Sequence, residues 1–176
     1  MTVEQELTMP RVSHLRAQFN RAHISAKDFQ DAHGYLKHLS QADSDLIRSA
    51  LLTSAVVAFA RPFTQNERGA AKSNATPSVS SAILRGLLPQ ELELHARVLY
   101  LRHQAVAHSS FSTRPLTQLT VWEHGFGVES VPFDILNEQL DVDLFCSLNH
   151  KLLVTCHLVK NELIGLMRGG VNAPDP

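Results

Sequence analysis

The 176-residue chain has little of what several function classes require. It holds two cysteines, one tryptophan, 6% aromatic residues, and no excess of either charge: 16 Lys and Arg stand against 17 Asp and Glu, a net charge of −1. The charge balance excludes a strongly basic coat for nucleic acid, although not a local basic site. Cys146 and Cys156 lie in one helical pattern. Helical rise separates them by about 15 Å, too far for a disulfide, and marks them as buried, reduced thiols of a cytoplasmic protein. No pair of cysteines has zinc-ligand spacing, no His-Glu-x-x-His stands on a helix, and no Gly-rich Lys-Ser/Thr loop cradles phosphates. A metal centre or a cofactor is therefore not expected. The longest apolar run, Ala55 to Ala60, is far shorter than the ~20 residues of a membrane span, and the first ten residues lack a basic segment followed by an apolar one, so a signal peptide is not expected.

What is present is 44% apolar residues at 19% charged, enough to bury a sizeable core. The length suits one domain over residues 1–176. Ten histidines bring the chain near neutrality at pH 7 and make it cationic near pH 6.

Helical periodicity dominates. A first helix is expected from Pro10 to Arg21, with Val12, Leu15 and Phe19 on one face. Ser25-Ala26-Lys27-Asp28 resembles a capping box and predicts a second helix to Leu39. A third runs from Asp45 to Ala60, capped by Asp43 or Ser44 and stopped by Pro62. Thr64 to Ser80 reads as an exposed, flexible loop in which Arg68 and Lys72 can meet an anionic ligand. Pro89 opens a helix over Gln90 to Ala107. Leu116 to Phe133, with Gly125-Phe126-Gly127 as its turn, predicts a small β-hairpin. Asp134 caps the next element, and a long helical region closes at Gly169 and Gly170 before a disordered tail over 171–176. The fold class is thus mainly all-α: an antiparallel four- or five-helix bundle with a hairpin insertion near 116–133.

Chemistry concentrates at the end of the helix opened by Pro89. With Arg102 at zero and about 100° per residue, Leu94, Val98, Leu101 and Ala105 fall between about −100° and −40°, and Leu99 and Val106 near 40–60°. Arg102 therefore lies inside the apolar arc. A guanidinium there is costly to desolvate unless paired. Two readings stand side by side. Asp43, Asp45 or Glu91 neutralises Arg102, or the arc faces a cleft or a second subunit and Arg102 waits for an anion. His108 likewise suits either acid–base chemistry or favourable interaction with a helix C-terminus. His150 and His157 share a face but stand two turns apart, too far to hold one metal without a third element.

Arg102-His103, four residues, then His108, with the ending Val106-Ala107-His108-Ser109, resembles the motif of HEPN domains, the higher eukaryotes and prokaryotes nucleotide-binding family. Asn or Asp is commoner than His in the position after the Arg. The resemblance implies a small helical bundle, a homodimer, and a metal-independent ribonuclease site built from Arg102, His108 and His103, with Ser109 beside them on the substrate; Arg68 and Lys72 of the loop are further candidates for contact with it. RNA and an antitoxin protein are the partners it implies. The alternative is a non-catalytic interaction module in which Arg102 and His108 only pair and cap.

Overall fold

The computed structural model describes residues 3–64, 81–103, 116–123, 125–130 and 134–169. Four α-helices run through these residues: α1 (Val3–Leu39), α2 (Asp45–Ala60), α3 (Pro89–Tyr100) and α4 (Val142–Gly169). Local chemistry accounts for most of their ends. The Ser44 hydroxyl accepts a hydrogen bond from the Ile47 N–H at 3.3 Å and starts α2, with Asp45 in its first turn. Pro62 then tightens the chain into a 3₁₀ turn over Arg61–Phe63. Pro89 opens α3, and the Leu88 N–H donates to the Glu91 carboxylate at 2.7 Å. Asp134 accepts from the Leu136 N–H at 3.0 Å and heads a 3₁₀ turn over Ile135–Glu138. Asp141 accepts from the Leu144 N–H at 2.9 Å at the start of α4.

Between the last two caps, Gln139 adopts a left-handed conformation with φ 50°. A side chain there costs about 1 kcal/mol that glycine avoids. Gln139→Gly is expected to raise the denaturation midpoint by an amount equivalent to about 0.5–1 kcal/mol. An unchanged or lower midpoint in urea would show that the Gln139 side chain contributes contacts that outweigh the strain.

The pattern expected to break at Ser25 does not break. Residues 3–39 form one helix, and Pro10 stands inside it rather than at its start. Ala22, Ala26, Phe29, Ala32, Leu36 and Leu39 are buried along one continuous face. Ser25 is buried on that helix with its hydroxyl unpartnered, and Asp28 pairs with Arg61 at 3.4 Å. Tertiary burial overrides the capping pattern, and the helix count is four among the described residues.

Residues 40–44 turn the chain from α1 back along α2, so the two helices are antiparallel. The Arg21 guanidinium consequently meets the end of α2, where it donates to the carbonyls of Pro62 and Arg61. Helices α3 and α4 are antiparallel as well. Glu91, in the first turn of α3, reaches Lys151 well into α4, whereas Arg97 and Tyr100 face Asp141 and Leu144 at its start. Helix α4 also lies along α1, where the Asn149 amide donates to the Phe29 carbonyl at 2.9 Å.

All four helices contribute to one apolar cluster centred on Phe29, Phe59, Val98, Leu101, Phe145, Leu148 and Leu152. Cys156 belongs to it, and burial pushes its thiol up to about 11. Both cysteines are free thiols. The segment Asp45–Phe63 is long and apolar enough, at a mean hydropathy of 1.3, to cross a membrane by composition alone. In the bundle Leu52, Ala55, Val56, Ala58, Phe59 and Ala60 are buried, while Leu46 and Ile47 are exposed.

Outside the helices, β1 (Leu116–Trp122) pairs antiparallel with β2 (Gly125–Ser130), with Trp122 opposite Gly125 and a register irregularity between Leu116 and Gln118. Thr64 is fixed by its hydroxyl, which donates to the Arg61 carbonyl at 3.0 Å. The rest of the expected loop, 65–80, and the tail 171–176 lie outside the described residues.

Candidate functional site

Helix α3 presents Glu91, Leu94, His95 and Val98 as its buried residues. Its regular α geometry ends at Tyr100. The Leu101 N–H is shared between the carbonyls of Arg97 and Val98, and Leu101 to His103 continue as a wider π-type turn. Such turns interrupt α-helices at functional positions more often than elsewhere. Leu101 is fully buried, Arg102 half-buried and His103 exposed. Arg102 thus sits where the inward face of α3 leaves the core.

The three acids considered as its neutralisers are placed otherwise. Asp45 pairs with Arg48 at 3.5 Å. Glu91 accepts from the Lys151 ammonium at 2.8 Å and from the Leu88 N–H, and these two contacts hold its carboxyl below the usual range. Asp43 is exposed and joins no ion pair among the described residues. Among the described residues no carboxylate pairs with Arg102.

Of the sequence-derived site residues, the structure places Arg102 and His103 side by side at the end of α3. His108, Ser109, Arg68 and Lys72 lie outside the described residues. Among the described residues no three His, Cys, Asp or Glu side chains converge as a metal site.

A cleft of about 620 Å³ opens on the other side of α3, between Gln90, Arg97 and Tyr100 and the segment carrying Glu138, Asp141 and Leu144. Arg97 lies 5.7 Å from the Tyr100 ring centroid and is neutralised by Glu138. Its cation is therefore spent within the fold. Arg102 has no such carboxylate partner among the described residues. The cleft was not legible in the sequence, since Arg97 and Glu138 are separated by 41 residues.

His95 is a further buried residue of α3, outside the sequence-derived site. Its ring stands edge-on to Phe63 at 4.5 Å and to Phe59 at 6.1 Å, with Nε2 buried and unpartnered. Burial lowers its affinity for a proton. The unfolded chain titrates near the ordinary value of about 6.5 and binds the proton more readily than the fold does. Stability is therefore full above about pH 6.5 and falls as the pH drops below it. Melting temperatures at pH 7 and pH 5 are expected to differ more in the parent than in His95→Leu. An equal difference in both would show that His95 does not carry this dependence.

The chain matches no family model, no curated protein and no solved structure, so its functional reading rests on its own residues.

Proposed function

We propose that the protein is a HEPN-like, metal-independent endoribonuclease or RNA-binding protein of the cytoplasm, acting as a homodimer in a toxin or defence setting. The observation that carries this reading is Arg102: a half-buried guanidinium at a π-type helix end, with no carboxylate on it among the described residues. Such a group matches the geometry and charge of a phosphate.

The chemistry rests on the residue types. An imidazole, here His108, removes the proton of an RNA 2′-hydroxyl. The 2′-oxygen attacks the adjacent phosphorus, the bond from phosphorus to the 5′-oxygen breaks, and a protonated imidazole returns the proton to that leaving oxygen. The products are a 2′,3′-cyclic phosphate and a 5′-hydroxyl. Arg102 stabilises the charge that gathers on the phosphoryl oxygens. Six residues separate Arg102 from His108, about 9 Å of rise and about 120° of rotation on an ideal helix. Two such helices related by a twofold axis can focus both groups on one phosphate, which is why the reading includes a dimer. His103 flanks the site, and Arg68, Lys72 and Ser109 supply further contacts to the strand. A cognate antitoxin protein would act by covering this surface. The hairpin of β1 and β2 is, in this reading, an insertion in the bundle.

The test is cleavage of single-stranded RNA by the purified protein in excess chelator, with the ends identified as cyclic phosphates. Sedimentation at micromolar protein is expected to show twice the chain mass of 19.5 kDa. Absence of cleavage across a panel of unstructured RNAs, together with a monomer in sedimentation, would overturn the reading.

A further inference from the structure

The face of α4 that carries His150 and His157 needs a third element before it can hold a metal ion, and α1 supplies one. His33 of α1 and His150 of α4 stand with ring centroids 6.4 Å apart and planes inclined by 50°. Both side chains are exposed, and neither is engaged in an ion pair among the described residues. We propose that His33 and His150 form a two-imidazole site for a first-row divalent transition-metal ion, which clips α1 to α4.

The distance fits. A metal–imidazole bond of about 2.1 Å plus roughly 1.1 Å from nitrogen to ring centre puts each centroid about 3.2 Å from the ion. Two rings on one ion then have centroids about 5.3 Å apart at a tetrahedral angle and up to about 6.4 Å when opposed. The observed 6.4 Å equals the opposed spacing, and the exposed side chains reach the tetrahedral one by rotamer adjustment that closes about 1 Å.

The backbone beneath is already fixed. Asn149, next to His150, is fully buried, and its amide donates to the carbonyl of Phe29, one turn before His33. The two helices therefore cannot slide at this level, and binding does not have to assemble the site. Imidazole suits nickel, copper and zinc, while the hard cations calcium and magnesium want oxygen. No third His, Cys, Asp or Glu of the described residues completes the shell, so water fills the remaining positions and exchange is rapid. The proposal is independent of the Arg102 reading.

Titration of the full chain with Ni²⁺ in a calorimeter is expected to show one tightest site per chain. His33→Gln and His150→Gln each weaken that site at least tenfold, and the double variant weakens it no further. His157→Gln leaves it unchanged. At about a hundredfold excess over Kd, Ni²⁺ raises the parent melting temperature by about 5–10 °C, and this shift disappears in both single variants. The side chains are exposed, so the variants keep the parent's far-ultraviolet dichroism. Paramagnetic broadening by Ni²⁺ confined to the His33 and His150 ring signals gives an independent readout. Retention of the site in either single variant, equal weakening by His157→Gln, or broadening spread over other histidines would overturn the proposal.

Discussion

Arg102→Lys and His108→Ala are each expected to slow cleavage of single-stranded RNA by about 10²–10⁴-fold, the usual worth of a positioned acid–base or phosphate-binding group. Lysine keeps the charge of Arg102 and loses the planar, two-pronged contact that matches two phosphoryl oxygens. His103→Ala is expected to cost less, because His103 is exposed and departs from the residue usual at that position of the motif. The accompanying readout is the melting temperature. Arg102 is half-buried and no carboxylate among the described residues depends on it, so Arg102→Met strands no buried charge. It is expected to abolish cleavage and leave the melting temperature within a few degrees of the parent. A structural Arg102 produces the opposite pattern: no RNA is cut by the parent, and Arg102→Ala destabilises. Parent activity together with full activity in Arg102→Lys would remove the guanidinium from the chemistry.

Phe59→Ala is expected to be the most destabilising single change in the described core. The Phe59 ring is fully buried and meets Phe29 of α1 at 5.6 Å, His95 of α3 at 6.1 Å and Phe145 of α4 at 5.1 Å, while Phe63 stands at 5.8 Å. One side chain of α2 thus touches the other three helices. Truncating such a ring removes its transfer free energy and leaves a cavity that four elements cannot close together, about 3–5 kcal/mol. Its edge-on contacts with Phe29 and Phe145 add to that loss. Native stabilities are about 5–15 kcal/mol, so the change removes a large share of the total. In urea the midpoint is expected to fall with an unchanged slope. Phe63→Ala, at a half-buried position, is expected to cost less. A loss below about 1 kcal/mol for Phe59→Ala would show that the helices do not share this ring as a common centre.

Several elements were legible in the residues because the chemistry that starts or stops them is local. Ser44 caps α2 through an N–H three residues away, Pro62 ends its regular geometry, and Pro89 opens α3. Asp134 caps its turn as expected, while Asp141, which does the same for α4, was missed because the apolar pattern does not begin sharply there. Ser25 shows the limit of local reasoning. A Ser and an Asp three apart offer a capping box, but the hydrogen bonds of a box cost the burial of the face running through Ala22, Ala26 and Phe29. Packing against α2 and α4 contributes more than one cap, and α1 continues.

The candidate site divides along the same line. Periodicity alone determined that Arg102 lies in an apolar arc, because the angle between residues on one helix depends only on their spacing. It could not determine whether an acid meets the guanidinium. Asp45 takes Arg48, three residues along its own helix, and Glu91 takes Lys151, 60 residues away on α4. His33 and His150 meet in the same manner, across two helices whose register is set by a buried amide bond to Phe29. The sequence by itself determined α2 with its Ser44 cap, the start of α3 at Pro89 and the turn headed by Asp134, since those depend on interactions within a turn or two. Which faces meet, and therefore which charges are spent and which are left, was decided only by the tertiary structure, because partner choice across helices depends on how the whole apolar surface is best buried.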